Sequence, residues 1–142
     1  MAKVTIDTRK AKAQLDRLSN NIARAIPKAL NRAGEKTKEL IINRTARGVG
    51  LNGAFKRYNN SYRDFRKAKG RSTKPDLNFS GRMLSSMDVS RVSTNKVIVG
   101  FKRKEEEKKA KFNQKSRPFF GVKTSEMGQI ETAFKTTFER NI

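Results

Sequence analysis

The apolar positions of this chain change period several times, and each change marks an element. Between Arg9 and Arg47, Leu15, Leu18, Ile22, Ile26, Ala29, Ala33, Leu40 and Ile41 recur every three or four residues. That spacing gathers them on one helical face. Ahead of it, Val4-Thr5-Ile6 reads as a short strand, with Asp7 or Thr8 placed to cap the helix. Pro27 falls inside the pattern and lacks the N–H that an interior helical turn uses. Two helices are therefore predicted, roughly 8–19 and 20–46, joined at Ser19, Asn20 or Asn21. The alternative is one helix kinked near Pro27. Gly48, Gly50 and Gly53 end the helical pattern.

Period two takes over later. Met87–Val92 and Lys96–Phe101 form two strands around Ser93-Thr94-Asn95, with Val97, Val99 and Phe101 on the face turned to the long helix. Ser80 is placed to cap a short helix over Gly81–Ser86. Glu105-Glu106-Glu107 followed by Lys108, Lys109 and Lys111 supports another helix through pairs such as Glu105–Lys109 and Glu107–Lys111. In Arg117-Pro118-Phe119-Phe120-Gly121, proline presets an extended entry, two rings supply anchors and glycine permits a turn. Thr124 or Ser125 caps a last helix whose inward face is Met127, Ile130, Phe134 and Phe138. The predicted class is α+β: a small, mostly antiparallel sheet packed against a long N-terminal helix, with a C-terminal helix. Residues 1–142 form a single domain, with a basic, glycine-bounded insertion or loop at about 48–78.

Charge changes the picture most. The chain has 34 Lys and Arg against 13 Asp and Glu, a net +21. Such an excess attracts polyanions and repels other copies unless partners or counterions relieve it. Eleven basic and three acidic residues occupy the first helical region, mostly opposite its apolar stripe. The density peaks at Lys56, Arg57, Arg63, Arg66, Lys67, Lys69, Arg71 and Lys74, with only Asp64 between them. Phe55, Tyr58, Tyr62 and Phe65 are interleaved at helical spacing, and Ser61 with Asp64 resembles a capping box for a helix near 62–68. Two readings fit this segment. The charges could meet phosphates while the rings stack on exposed bases. Alternatively the rings pack on the protein and the basic stems snorkel over them. No zinc-finger spacing, RNP sequence or helix-turn-helix is present, so any DNA contact is expected to be sequence-independent.

Candidate chemistry is sparse. Histidine and cysteine are both absent, which removes the commonest general base, the commonest metal ligand and any disulfide. Asp76 and Asp88 could serve a metal-dependent nuclease, yet no Glu-x-Lys strand element accompanies them. Ser80 has no histidine to activate it, and Gly48-Val49-Gly50 lacks the rest of a phosphate loop. The chain is therefore expected to be no enzyme, with no cofactor and no metal. No apolar run approaches the ~20 residues that span a bilayer, and no membrane partner is expected. The start has no signal-peptide core, which fits synthesis and assembly in a host cytoplasm. Hydrophobic content of 35% beside 33% charged residues predicts a thin core, completed in part by neighbouring subunits.

The order of these elements resembles bacteriophage virion-morphogenesis proteins of the neck, tail-completion and tail-terminator type. The residues that carry the likeness are Ser80, Gly81 and Leu84 ahead of the hairpin, then Arg117, Pro118, Phe119 and Gly121 ahead of the final helix. Residues 102–116 depart from the family pattern, lacking its glycine. The resemblance implies a structural virion protein at the head–tail interface, working as a ring, most often a hexamer, around the DNA channel. Its partners would be the tail-tube protein and the head connector or portal adaptor, with DNA passing through the lumen. The competing expectation is a monomeric, sequence-independent nucleic-acid-binding protein.

Overall fold

The computed structural model describes residues 9–78 and 80–142, with side chains of the first helix described from residue 12 on. The expected first strand at Val4-Thr5-Ile6, its cap and Phe79 lie outside the described residues. Arg9–Ala46 is one helix, α1, about 57 Å long at 1.5 Å per residue. The expected break at Ser19–Asn21 does not occur. Asn21 uses its Oδ1 to accept from Arg24 Nη2 at 2.7 Å, a surface bond that leaves the helical backbone intact. Pro27 is carried inside the helix, and the carbonyl of Ala23 that it leaves without a helical donor belongs to an exposed residue.

The C-terminal helix α5, Thr124–Arg140, runs antiparallel to α1. Lys28 Nζ meets Asn141 Oδ1 at 3.3 Å at one end, and Arg44 meets Glu126 at the other. Ile130, Phe134 and Phe138 are half-buried, and the rings of Phe134 and Phe138 stack at 5.9 Å. Met127, expected inward, is 46% exposed, and Glu126 takes the inward position instead. Because α5 ends beside Lys28, about 28 Å of α1 runs on without it. Leu15 and Leu18 lie on that overhang, 64% and 46% exposed.

Between the two helices come β1 (Val49–Gly50), β2 (Gly53–Ala54), α2 (Asn60–Ala68), α3 (Arg82–Ser85), β3 (Met87–Ser93), β4 (Lys96–Phe101) and α4 (Lys104–Ser116). The fold is α+β with two small antiparallel pairs, β1–β2 and β3–β4. The β3–β4 register sets Val89 opposite Val99 and Met87 opposite Phe101, so Val97, Val99 and Phe101 share the inward face. That face lies on α1 at Gly34. A Cβ there would stand 2.6 Å from Val89 Cγ1, so the close approach requires glycine. Gly34→Leu is expected to lift the hairpin off α1 and cost about 1–3 kcal/mol of stability. Urea unfolding of both proteins checks this, and an unchanged midpoint would contradict the packing.

The 48–78 stretch, expected as a basic insertion or loop with a helix near 62–68, carries β1, β2 and α2. Leu51 N–H donates to Pro118 O at 2.8 Å, which docks the β1–β2 turn on the Arg117–Gly121 turn. Phe55, Tyr58 and Leu77 join Ile41, Met83, Leu84, Met87 and Phe119 in the core at the C-terminal end of α1. The segment is thus part of the domain's interior as well as its most basic surface.

Candidate functional site

The basic segment divides once its side chains are placed. Lys56, Arg57, Lys67, Lys69, Arg71 and Lys74 are exposed, and Arg63 is half-buried. Arg66 is 1% exposed and drops out of the DNA- or partner-facing set. Its Nε donates to Ser72 O at 2.6 Å, and its Nη2 donates to Asp76 Oδ1 at 3.1 Å and to Asn78 O at 3.2 Å. Its guanidinium also lies over the rings of Tyr58 and Tyr62, at 4.9 and 5.6 Å. One arginine therefore folds the 70–78 stretch back against α2. Tyr58 completes the bracket by accepting Leu77 N–H at 3.0 Å, and burial pushes its phenol pKa up against that bond.

The helix that carries these residues starts two residues before the expected one. Asn59 caps it, accepting Tyr62 N–H at 2.8 Å, in place of the Ser61–Asp64 box. Of the four aromatics expected on one helical side, only Tyr62 and Phe65 are in α2. Phe55 and Tyr58 precede it and are buried, while Phe65 is 48% exposed. The packing reading thus describes Phe55 and Tyr58, while Phe65 is left partly exposed.

The residues that carry the family likeness hold the fold together. Gly81, in the left-handed region at φ 79°, occupies the cap of α3, and Ser80 Oγ accepts Arg82 N–H at 3.4 Å. Leu84 is buried behind it. Arg117 donates to Lys56 O at 2.7 Å and Arg57 O at 2.9 Å and stacks on Tyr58 at 4.7 Å. Pro118 O receives Leu51 N–H, and Phe119 is fully buried. At Gly121 a Cβ would press on Leu51 Cδ1 at 2.9 Å.

Nothing in the sequence sets Arg44 apart from the other basic residues of the first helix, yet it is 2% exposed. It donates to Phe119 O at 2.9 Å, to Gly121 O at 2.8 Å and to both carboxylate oxygens of Glu126 at 3.1 Å. Glu126 also accepts Lys123 N–H at 2.9 Å, so it caps α5 in place of Thr124 or Ser125. The Arg44 hydrogen bonds, supported by Lys123 N–H, hold the Glu126 carboxyl below its ordinary range although burial opposes them.

Asp76 and Asp88 both have local partners. Asp76 accepts from Arg66 and from Asn78 N–H, and Asp88 lies 3.9 Å from Lys102. Among the described residues no three His, Cys, Asp or Glu side chains gather as a metal site, and no helix is long and apolar enough to cross a membrane.

No family model, curated protein or solved structure matches this chain. Its own surfaces must supply the functional reading. Two stand out: the cationic band on and around α2, and the apolar overhang of α1. A third feature lies between α2 and α4, a cleft of about 650 Å³ lined by Tyr62, Phe65, Glu106, Lys109 and Phe112. On α4, Glu107–Lys111 forms as expected at 3.3 Å, whereas Lys109 turns to Glu106 at 3.1 Å instead of Glu105.

Proposed function

We propose that this chain is a structural protein of a bacteriophage head–tail junction, of the neck, tail-completion or tail-terminator kind. It assembles as a ring, with six copies around the DNA channel, and joins the tail tube to the head connector. The ordered likeness from Ser80-Gly81 to Arg117–Gly121 points to the family. The observation that carries the assembly reading is the end of α1 beyond α5, whose apolar side chains no described element covers. Leu15 and Leu18 continue the stripe that α5 covers further along, and on the overhang they face water. The hairpin adds two open strand edges, with Val92 and Ile98 exposed at 55% and 47%. Such surfaces are completed by neighbouring subunits. The exposed cations of the 56–74 segment face the lumen or an acidic partner and offset the charge that repels copies from one another.

Light scattering of the purified protein, alone and with the tail-tube protein, tests this. The expected result is a ring of about six copies in at least one of the two samples. A single-copy mass in both, with no complex, would remove the ring. The cationic band also favours a second reading, sequence-independent nucleic-acid binding by the single chain. That function would show high affinity for DNA at low salt, falling steeply as salt rises, without any ring.

A further inference from the structure

We infer that the cleft between α2 and α4 binds an unpaired nucleotide of a single-stranded nucleic acid, stacking its base against Phe112. This goes beyond passage of duplex DNA through a lumen, which asks for no base contact, and it does not depend on ring formation. It extends the second reading by giving nucleic-acid binding a particular place and a particular form of ligand.

Phe112 is 74% exposed on a helix that is otherwise lysine, glutamate and amide over this face, and on the facing helix Phe65, half-exposed and stacked on Tyr62 at 6.2 Å, forms the opposite wall. Both line the same cleft, whose volume of about 650 Å³ admits a nucleotide. Cations surround the rings. Lys69 Nζ lies 5.9 Å from the Phe65 ring centre, and Lys109 and Arg117 line the walls. Rings flanked by cations match a base followed by its phosphate. A duplex keeps its base faces stacked inside and has none to offer.

Glu106 supplies the second, independent observation. It lines the cleft and is 3% exposed, and Lys109 Nζ donates to its Oε1 at 3.1 Å. Its Oε2 is buried with no hydrogen-bond donor among the described residues. A buried carboxylate oxygen left so is an acceptor awaiting a donor. The exocyclic amino group of cytosine or adenine provides one, as carboxylates do when they accept from cytosine N4. A cationic ligand fits less well, because Arg66 and Arg117 already lie over the tyrosine rings and Lys109 already neutralises Glu106.

Fluorescence anisotropy with labelled oligo(dC), oligo(dT) and a duplex of equal length tests the inference on the full chain. The wild type is expected to prefer oligo(dC). Phe112→Ala should weaken single-strand binding about tenfold while duplex binding stays within about twofold, because one stacked base is lost. The exposed position of Phe112 lets this variant fold, which its melting curve verifies. Glu106→Gln should erase the preference for oligo(dC) over oligo(dT) while retaining single-strand binding. Unchanged single-strand affinity in Phe112→Ala, or equal losses for single strand and duplex, would overturn the inference. So would displacement of the oligonucleotide by poly-glutamate with the same dependence on Phe112, since the cleft would then be a protein dock. Salt-dependent binding that persists without any Phe112 dependence would leave the broader nucleic-acid reading standing and remove only the cleft.

Discussion

Arg44→Met should lose about 3–5 kcal/mol, the usual result of removing one partner from a buried ion pair. Methionine fills much of the space but takes the guanidinium donors from the carbonyls of Phe119 and Gly121 and from the Glu126 carboxylate, which keeps Lys123 N–H. Domains of this size hold about 5–15 kcal/mol in all, so a large share of the stability would go. The midpoint of thermal unfolding should fall by about 10 °C. Arg44→Lys should fall between, since a single ammonium cannot reproduce the two-pronged contact. Replacing both partners, Arg44→Met with Glu126→Leu, should recover part of the loss, because no buried charge then remains unpaired.

The same pair sets a pH dependence. Glu126 stays ionised in the folded protein to lower pH than in the unfolded chain, whose ordinary value is 4.5. Between those two values the unfolded state binds more protons, so stability rises with pH there. The contribution is complete above the unfolded value and is lost as pH falls through the folded one. Urea midpoints at neutral and acid pH should therefore bring wild type and Arg44→Met closer together in acid. A constant gap down to pH values well below the ordinary carboxylate range would show that Arg44 acts through packing alone.

Charge reversal of the exposed band should have the largest functional effect. Lys56, Lys67, Lys69 and Lys74 are all exposed, and changing each to Glu lowers the net charge by eight units. Melting should change little, because exposed side chains away from special contacts contribute little to stability. Affinity for duplex DNA should fall sharply, and the salt slope should shrink by about 0.9 for each phosphate contact removed. In an infection assay, head–tail joining should fail while separate heads and tails accumulate. Normal joining together with normal DNA affinity would dismiss the band as a functional surface. Arg66→Glu should behave differently. It sets a second acid against Asp76 in a buried place, so its defect should be unfolding, visible in the melting curve before any assembly step.

These contrasts show what local pattern conveyed and what it did not. The β3–β4 hairpin was legible because alternating Val, Ile and Phe with a short polar turn has few other stable outcomes. The helix at 104–116 was legible from charge spacing, although Lys109 chose the nearer Glu106. Of the two readings of the first helical stretch, the single helix holds and the break at Ser19–Asn21 does not, because those polar residues are weak helix formers rather than breakers. Once nucleated, a helix propagates through them. Glu126 took the inward place expected of Met127 because Arg44 makes an inward carboxylate worth more than an inward thioether.

The overhang and the cleft were invisible for another reason. Leu15 and Leu18 look like core until the end of α5 is known, and α5 ends where Asn141 meets Lys28. Phe112 stands alone among polar neighbours in the chain and gains meaning only when α4 faces α2 across Phe65.

By itself the sequence determined the α+β class, the helical stripe, the hairpin register face, the strong positive charge and the lack of histidine and cysteine chemistry. All of these follow from residue type and short-range spacing. Only the tertiary structure decided which arginines are surface and which are interior. Arg44 and Arg66 look like any other basic residue on a helix, yet each gathers carbonyls and a carboxylate brought from elsewhere in the chain, 82 residues away for Glu126 and ten for Asp76. A guanidinium is buried only where several acceptors converge on it, and that convergence is a property of the folded backbone, which no local spacing encodes.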